Sequence, residues 1–393
     1  MTPQPSHVLG IGVVSALGIG VPETRKALYA ETPRLPAPPT CLQTQLTLPV
    51  FEVPDLKRQP DQPGCVSMQL LRLALEEALE NAGLGRAQLR GLRVGVAMGT
   101  TTACQLNSVP FYAALRDGKK TDRAPLMHFL EGNPAELIHR ELELDGPQLT
   151  VSNACTSGAD AIGLAHLWLQ QGLCDVAIAG GTDELNKVPL DGFNALGVCS
   201  PEPCRPFDAA RRGLNLGEGA GVLVMARAGA AAKAHTSFTV NGFGKTADAF
   251  HITQPDPEGK QLEQAIRNAL AMAGSRVDEV AFINAHGTGT QANDLAEATV
   301  FARLYHGGIP YMSTKALTGH TLGAAGAIEA IFTLLMLEEQ RAVRSHRFET
   351  LPEGIAFPPL REIHALHGAR LALSTSLAFG GSNTALILGL CPT

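Results

Sequence analysis

Charged residues are scarce in this 393-residue sequence. Asp, Glu, Lys and Arg together make up 17%, below the quarter that is usual in soluble proteins, which indicates that much surface is buried against a partner. The formal net charge is −6 and no long basic run occurs, so general nucleic-acid binding is not expected. No apolar run approaches the roughly 20 residues that a membrane span needs, so membrane insertion is not expected.

The eight cysteines lack metal-binding or disulfide patterns. None of them forms a C-x-x-C pair, and the 12 histidines do not flank them with zinc-site spacing, so no metal is expected. The apolar stretch 8–20 lacks a basic start and is interrupted by four glycines, which predicts a strand and turn instead of a secretory signal. We therefore expect a protein of a reducing compartment, the cytoplasm.

Hydrophobic residues make up 45% of the chain, enough for a large core, and strand-like runs alternate with helical segments. This alternation predicts an α/β fold. The first series is Val8–Val14 (strand), Ser67–Ala82 (helix), Arg93–Met98 (strand), Leu149–Asn153 (strand), Ala159–Gln170 (helix), Val176–Ala179 (strand) and Gly221–Ala226 (strand). The second series is Phe238–Phe243 (strand), Lys260–Ala273 (helix), Val280–Asn284 (strand), Ala324–Leu337 (helix), Arg370–Ser376 (strand) and Thr384–Leu388 (strand).

The two series resemble each other. Val94–Thr100 is similar to Ala281–Thr288, and Val151–Cys155, which precedes a Gly/Ala-rich helix, is similar to Met312–Ala316. This similarity predicts a duplicated fold of two halves, 1–234 and 235–393. Unrelated strand–turn–helix units would share the same features, so both interpretations stay open at this point.

The first chemical motif is a single cysteine, Cys155, where a strand turns into a helix. Unsatisfied N–H groups and the positive end of the helix dipole favour the thiolate there. Burial in a dry site would raise the pKa again. The motif therefore requires polar partners from elsewhere in the chain.

Two further turns carry histidines. His286 follows the strand Val280–Asn284, and its glycine neighbours allow another group to come close. Lys315 and His320 bracket a turn before a small-residue helix, whose dipole is expected to lower the pKa of His320. Glu329 on that helix needs a partner, for which Lys315 is one candidate. The alternatives are a structural histidine and a lysine at the surface.

The fourth motif is a strand that ends in a glycine-rich turn, Ala378-Phe379-Gly380-Gly381. Backbone N–H groups in such a turn can form part of an oxyanion hole, which binds the charged oxygen of a reacting carbonyl. An ordinary glycine-rich hairpin is the alternative when this turn is considered alone.

Taken together, the motifs resemble the β-ketoacyl-acyl carrier protein synthases of the elongating Cys-His-His type, in the thiolase-like superfamily. The resemblance spans nearly the whole chain. It includes Gly180-Gly181, Arg205–Asp208, Leu216–Gly221 and Asp248–His251. It implies the thiolase-like αβαβα layered fold of two related halves, and chemistry that needs no metal or organic cofactor.

The resemblance also implies roles for the motif residues. Cys155 would accept an acyl chain from a carrier-protein thioester, while His286 and His320 would bind the malonyl thioester and stabilise the enolate formed as carbon dioxide leaves. The N–H groups of Cys155 and Phe379 would form the oxyanion hole. Lys315 would act with Glu329 in support of the histidines.

The remaining roles concern the acyl pocket. Phe379 would gate it, together with Ala378, Gly380 and Gly381. Ala378 stands where many relatives have Gly, and Ala reaches a positive φ less readily. Leu377 replaces a common aromatic residue, Arg212 replaces a common Asp, and the segment 100–151 is short. Chain length and pathway therefore stay open among fatty acid, polyketide and aryl-polyene synthesis.

Two other functions are alternatives to a condensing synthase. A thiolase would use a second catalytic cysteine, but Cys391 lies in no glycine-rich motif. A chain-length-factor-like partner subunit usually lacks the nucleophile, whereas Cys155 is present here. The resemblance implies an acidic acyl carrier protein as partner, and a homodimer or a heterodimer with a ketosynthase-like paralogue. A basic rim for the carrier protein is predicted: Lys57, Arg58, Arg116, Lys119, Lys120, Arg205, Arg211 and Arg212.

Overall fold

The computed structural model describes residues 4–59, 65–102, 108–124, 126–127, 133–227, 236–306 and 308–391. In this part of the chain the strands are β1 (Ser6–Ser15), β2 (Gly18–Ile19), β3 (Val94–Gly99), β4 (Gln148–Val151), β5 (Val176–Asp183), β6 (Gly219–Arg227), β7 (Phe238–Ala247), β8 (Val280–Asn284), β9 (Tyr311–Met312), β10 (Arg341–Ala342), β11 (His364–Ala365), β12 (Leu371–Leu377) and β13 (Ser382–Leu390).

Helices lie between most of these strands. The α-helices are α1 (Val21–Leu28), α2 (Cys65–Ala82), α3 (Arg86–Leu89), α4 (Val109–Arg116), α5 (Pro134–Glu141), α6 (Ser157–Gln170), α7 (Lys187–Ala195), α8 (Lys260–Ala273), α9 (Gln291–Leu304), α10 (Lys315–Thr318) and α11 (Ala325–Glu338). Two short 3₁₀ turns cover Val277–Glu279 and Leu322–Ala324.

Ten of these strands form two five-stranded sets with the same order and directions, while β2 pairs with β1 and β10 pairs with β11. The first set runs β4-β3-β5-β6-β1 and the second runs β9-β8-β12-β13-β7. In each set the first three strands are parallel and the last two are antiparallel to their neighbours. The sets are joined where β1 pairs with β7, through Ser6–Val240 and His7–Thr239. The duplication predicted from the sequence is therefore confirmed.

Helices and sheets alternate in five layers. α2 packs on β1 and β6 of the first set, and α8 packs on β7 and β13 of the second. α6 and α11 contact each other between the two sets, where they form the largest apolar core. Along β5, Val176 and Ile178 face the α2 side whereas Ala177 and Ala179 face the central helices, as the two-residue period of a strand requires. The αβαβα arrangement is confirmed.

A pair of glycines lets each outer helix approach its sheet closely. A Cβ added at Gly12 would lie 1.9 Å from the carbonyl oxygen of Ala74 on α2. A Cβ added at Gly244 would lie 1.9 Å from the carbonyl oxygen of Ala265 on α8. The first strand of each half therefore needs glycine at the equivalent place. Gly10 on β1 and Gly242 on β7 lie two residues before these glycines and are similarly close to the same helices, so each half has a Gly-x-Gly pair that is a further signal of duplication.

All 13 predicted elements are present, with bounds that differ by a few residues. Among the helices that were not predicted is α9, because Asp294 and Glu297 on its buried side interrupt the apolar period. The predicted boundary at 234/235 falls in 228–235, outside the described residues, and the segment 100–151 lies partly outside them.

Candidate active site

Cys155 lies in a strained turn between β4 and α6. The residue before it, Ala154, has a φ of 49°, a conformation that costs a non-glycine residue about 1–3 kcal/mol. Thr156 directly precedes α6 without a side-chain capping bond, and the backbone N–H of Asn153 donates to the Ser157 hydroxyl at 2.8 Å. The strained residue is therefore the direct neighbour of the candidate nucleophile, Cys155.

Burial dominates the chemistry of the Cys155 thiol, which is 4% exposed. Burial raises its pKa to about 12, while the charge of Lys315 and the backbone N–H of Phe379, which donates to the sulfur, act in the opposite direction. The activation expected from the helix terminus is therefore outweighed in the resting protein. Cys155 rests as a thiol and must lose its proton when a substrate arrives.

His286 is fixed from both sides at the end of β8. Its backbone N–H donates to Glu297 at 2.8 Å, and the N–H of Gly287 donates to the same carboxylate at 2.7 Å. The side chain of Lys315 lies 3.1 Å from Nδ1 of the imidazole. Glu297 on α9 therefore holds the backbone at His286, and Lys315 on α10 contacts its ring.

Lys315 is buried and paired, so the alternative of a surface lysine is wrong. Its side chain is 1% exposed and forms an ion pair with Glu329 on α11, which is 2% exposed. Burial raises the pKa of the Glu329 carboxyl to about 7, against the opposing effect of Lys315. The candidate pairing of these two residues is confirmed as a contact.

His320 lies beside His286, with ring centroids 5.1 Å apart in an edge-to-face arrangement. Burial and the nearby Lys315 hold the pKa of both imidazoles well below the usual value. The expected lowering for His320 is present, but its main cause is burial instead of the dipole of α11. Both rings are neutral at pH 7 and can donate a hydrogen bond without carrying charge.

The glycine-rich turn between β12 and β13 faces Cys155. Gly380 and Gly381 have φ values of 86° and 85°, and the N–H of Ala378 donates to the carbonyl of Ser382 at 2.8 Å. Ala378 itself does not have a positive φ. The cost expected for Ala in place of Gly at this position is therefore absent in this conformation.

The ring of Phe379 stacks on Phe193 from α7, with centroids 5.3 Å apart and planes at 19°. Together with Cys155, His286 and His320, these rings line one pocket of about 440 Å³. The structure thus brings the candidate nucleophile Cys155, both histidines and the turn that carries Phe379 to one cavity. Lys315 does not line this pocket but contacts His286, and Glu329 contacts Lys315.

Cys391 lies elsewhere. Its sulfur is 3.3 Å from Nδ1 of His7, at the beginning of β1. It does not line the pocket that holds Cys155. A second catalytic cysteine, as a thiolase requires, is therefore not supplied by Cys391.

Three residues of the site were missed in the sequence. Phe193 stacks on the gate, Asp160 accepts hydrogen bonds next to Cys155, and Asp183 accepts the backbone N–H of Gly323 at 2.7 Å, near His320. The two aspartates carried a usable signal, because a carboxylate among small apolar residues needs partners. Phe193 carried none, since its neighbour is distant in sequence.

The prediction of an exposed basic rim is wrong for some of its residues. Lys57, Arg116, Lys119, Lys120 and Arg212 are exposed as expected. Arg211 is 8% exposed and faces Asp294 at 3.7 Å, so it cannot belong to an exposed rim.

Two further residues of the predicted rim contact buried carboxylates. Arg58 pairs with the buried Glu218, and Arg205 lies 3.4 Å from the buried Asp208. These side chains are committed to carboxylates of the protein itself.

Among the described residues, no group of side chains is arranged to hold a metal ion. No helix in the same part of the chain could cross a membrane.

Family models match most of the chain. The model of the N-terminal domain of β-ketoacyl synthases matches residues 66–231, and the model of the C-terminal domain matches residues 237–349. The chain therefore belongs to the β-ketoacyl synthase family, and it is an enzyme of the acyltransferase class.

Relatives and solved structures agree with this assignment. The chain is 33% identical to 3-oxoacyl-[acyl-carrier-protein] synthase 2 of Coxiella burnetii, over 97% of each chain. It superposes on the ishigamide ketosynthase/chain length factor with a TM-score of 0.91 and 29% identity, over 99% of this chain and 100% of the other. A ketosynthase from Xenorhabdus doucetiae, solved in complex with its chain length factor, gives a TM-score of 0.85 and 30% identity over 99% and 98%.

Proposed function

We propose that the protein is a β-ketoacyl-acyl carrier protein synthase, which joins an acyl chain held on Cys155 to malonyl-acyl carrier protein by decarboxylative Claisen condensation. The observation that carries this proposal is the shared pocket. A buried thiol, two neutral imidazoles and the N–H of Phe379 all face one cavity. The proposed catalytic residues are Cys155, His286, His320 and Lys315.

The first step is acyl transfer. Cys155 loses its proton and its sulfur attacks the thioester carbonyl of the acyl carrier protein, so that a new C–S bond forms as the old one breaks. The departing carrier thiol takes up a proton. The N–H groups of Cys155 and Phe379 hold the oxyanion, and a donor of this kind typically contributes about 2.7–4 kcal/mol to the transition state.

The second step is decarboxylation. Neutral imidazoles at His286 and His320 donate hydrogen bonds to the malonyl thioester carbonyl. The C–CO₂ bond breaks and its electron pair becomes the enolate, whose charge these donors stabilise as it develops. Glu329 supports this arrangement through Lys315. Covalent capture of the acyl chain separates this step from acyl transfer.

The third step forms the carbon–carbon bond. The enolate carbon attacks the acyl carbonyl on Cys155, the oxyanion hole holds the charge again, and the Cys155 sulfur leaves and takes up a proton. Phe379 would gate the acyl pocket by movement of the turn that also contains Ala378, Gly380 and Gly381. No residue of this scheme requires a metal or an organic cofactor.

Substrate, partner and compartment are part of the proposal. Acyl carrier protein would deliver both thioesters, because the relative from Coxiella is named for that carrier. A homodimer or a heterodimer with a ketosynthase-like paralogue is proposed, since the Xenorhabdus neighbour was solved with a chain length factor. The pathway is fatty acid, polyketide or aryl-polyene synthesis. The cytoplasm is the proposed compartment, because reducing conditions keep Cys155 a free thiol.

We propose that the chain divides into two thiolase-like halves. The half 1–234 contains Cys155, and the half 235–393 contains His286, Lys315 and His320. A non-elongating partner subunit and a thiolase are less well supported. The partner subunit would not need the intact set of one thiol, two histidines and a buried lysine.

The test is a condensation assay with acyl- and malonyl-acyl carrier proteins of several acyl types, read by mass spectrometry. The expected product is a β-ketoacyl carrier protein, with one carbon dioxide released for each condensation. A variant with His286→Ala and His320→Ala should stop carbon dioxide release. Absence of product and of carbon dioxide with every acyl chain, with and without a paralogous subunit, would overturn the proposal.

A further inference from the structure

Asp160, in the first turn of α6, accepts four hydrogen bonds from three separate elements. It is 3% exposed. Its Oδ2 accepts from the Asn153 amide at 2.6 Å, the Thr156 hydroxyl at 3.0 Å and the Lys245 ammonium at 2.7 Å. Its Oδ1 accepts from the Thr384 hydroxyl at 2.6 Å. The contact with Lys245 is an ion pair, so the strongest of these bonds is charge-assisted.

Two of these donors enclose the nucleophile. Asn153 and Thr156 stand on either side of Ala154 and Cys155, so the carboxylate closes a short loop around both. Ala154 has a positive φ, and strained backbone of this kind persists only where neighbouring contacts hold it. Asp160 is the charged group that makes this contact.

The other donors belong to the strands behind the gate. Thr384 on β13 lies directly opposite Lys245 on β7. β13 begins at Ser382, whose carbonyl accepts the N–H of Ala378 and whose hydroxyl accepts from the Asn153 amide at 2.8 Å. The strand that follows the gate turn is thereby tied to the turn that carries the nucleophile.

We propose that Asp160 is a positioning residue that sets the distance between the two oxyanion donors, the N–H groups of Cys155 and Phe379. This inference rests on the proposed function and deepens it. Cys155 is on the turn that Asp160 clamps, and Phe379 is on the turn that β13 continues. The carboxylate touches no reacting atom and acts through these two turns.

The histidine pair is held by different groups. Glu297 accepts the backbone N–H of His286, and Lys315 contacts its Nδ1. Asp183 holds the turn after His320 through Gly323. Damage at Asp160 should therefore impair acyl transfer to Cys155 and leave malonyl decarboxylation unchanged. A residue that merely maintained the fold would impair both reactions together.

The experiment uses Asp160→Asn, which keeps the size and replaces one acceptor by a donor that faces Lys245 or Thr384. Acyl transfer to Cys155 is followed by intact mass, with the acyl carrier protein thioester that the unmodified protein uses fastest. Its rate should fall about 100-fold, the effect of misplacing a reacting geometry by roughly 1 Å. Decarboxylation of malonyl-acyl carrier protein is measured in the Cys155→Ala background and should match Cys155→Ala alone.

Thr384→Val deletes a single donor of the network without changing size and should slow acyl transfer in the same selective way. If Asp160→Asn does not fold, Thr384→Val replaces it in the comparison of acyl transfer with decarboxylation. Asp175→Asn, at an exposed pair with Arg93, is the control and should change neither reaction. Unchanged acyl transfer, or an equal fall in both reactions, would overturn the inference. An unmodified protein that forms no adduct would instead overturn the proposed function itself.

Discussion

The side chain of Lys315 lies 3.1 Å from Nδ1 of His286 and forms an ion pair with Glu329. An ammonium group donates hydrogen bonds and cannot accept them, so Nδ1 of the neutral imidazole is the acceptor. The proton of His286 is therefore on Nε2. Lys315 selects the tautomer that presents an N–H donor, and Glu329 keeps Lys315 in position.

Lys315→Met should lower malonyl decarboxylation by about 10- to 100-fold, as loss of an outer orienting group typically does. Lys315→Arg should not restore the rate, because the planar guanidinium cannot occupy the site of a compact ammonium. The measurement is carbon dioxide release in the Cys155→Ala background. Wild-type release by Lys315→Met would refute the assignment of the tautomer to Lys315.

Two substitutions in the turn Ala378-Phe379-Gly380-Gly381, the proposed gate, should change its backbone freedom in opposite directions. Ala378→Gly adds backbone freedom, whereas Gly380→Ala removes it at a position where a Cβ meets no atom within 4 Å. The positive φ makes the second change cost roughly 1 kcal/mol. We expect the two variants to shift acyl-chain preference or rate in opposite directions. Acylation rates are compared across chain lengths, and identical profiles for both variants and the parent would remove the gating role.

Buried histidines should make the protein sensitive to acid. Burial lowers the pKa of His166 from its usual 6.5 to about 4, and the ring lies 2.8 Å from the Ser6 hydroxyl. The unfolded chain binds this proton near pH 6.5 but the folded one does not. Stability from this residue is therefore complete above pH 6.5 and is lost as the pH falls towards 4, by about 3 kcal/mol in total.

His166→Gln keeps a polar group near Ser6 and removes the titration, so its free energy of unfolding should fall less steeply between pH 6.5 and 4. Urea unfolding at several pH values measures this slope. Equal slopes for His166→Gln and the parent would show that His166 is protonated in the folded state.

Docking of the carrier protein should depend on the exposed basic residues alone. Lys119→Glu with Lys120→Glu should raise KM for an acyl carrier protein thioester by about tenfold, because surface contacts each contribute about 0.2–1 kcal/mol and become repulsive. Turnover of a free acyl-pantetheine thioester should not change. Lys260→Glu, on an exposed lysine in the other half, is the control. If the double substitution leaves the KM unchanged, Lys119 and Lys120 do not belong to the docking surface for the carrier protein.

The sequence predicted the central elements well, because short apolar runs separated by glycine-rich turns mark buried strands. The positions of Cys155 and His286 just after strands followed from the same pattern, whereas His320 follows the short helix α10. Helix α9 escaped prediction because its buried face carries carboxylates that hold backbone N–H groups near His286 and Phe207. Polar residues that serve a site interrupt the apolar period that reveals a helix.

Energetics were harder to predict than placement. The dipole of α6 favours a thiolate at Cys155, but burial has the larger effect on its pKa, and burial follows from the three-dimensional packing. Arg211 is a second example of burial that the sequence did not reveal. Its charge suggested a place on the docking surface, but its side chain is buried beside Asp294. The Asp160 network joins residues more than 200 positions apart, so no local pattern could have assembled it.

The most direct test is intact-mass analysis after incubation with acyl carrier protein thioesters, followed by peptide mapping. One acyl group should be added per chain, on the peptide that contains Cys155, and it should be absent in Cys155→Ala. Subsequent malonyl-acyl carrier protein should remove the acyl group and yield a β-ketoacyl carrier protein. An acyl group that persists in Cys155→Ala, or an adduct that malonyl-acyl carrier protein cannot discharge, would contradict the account.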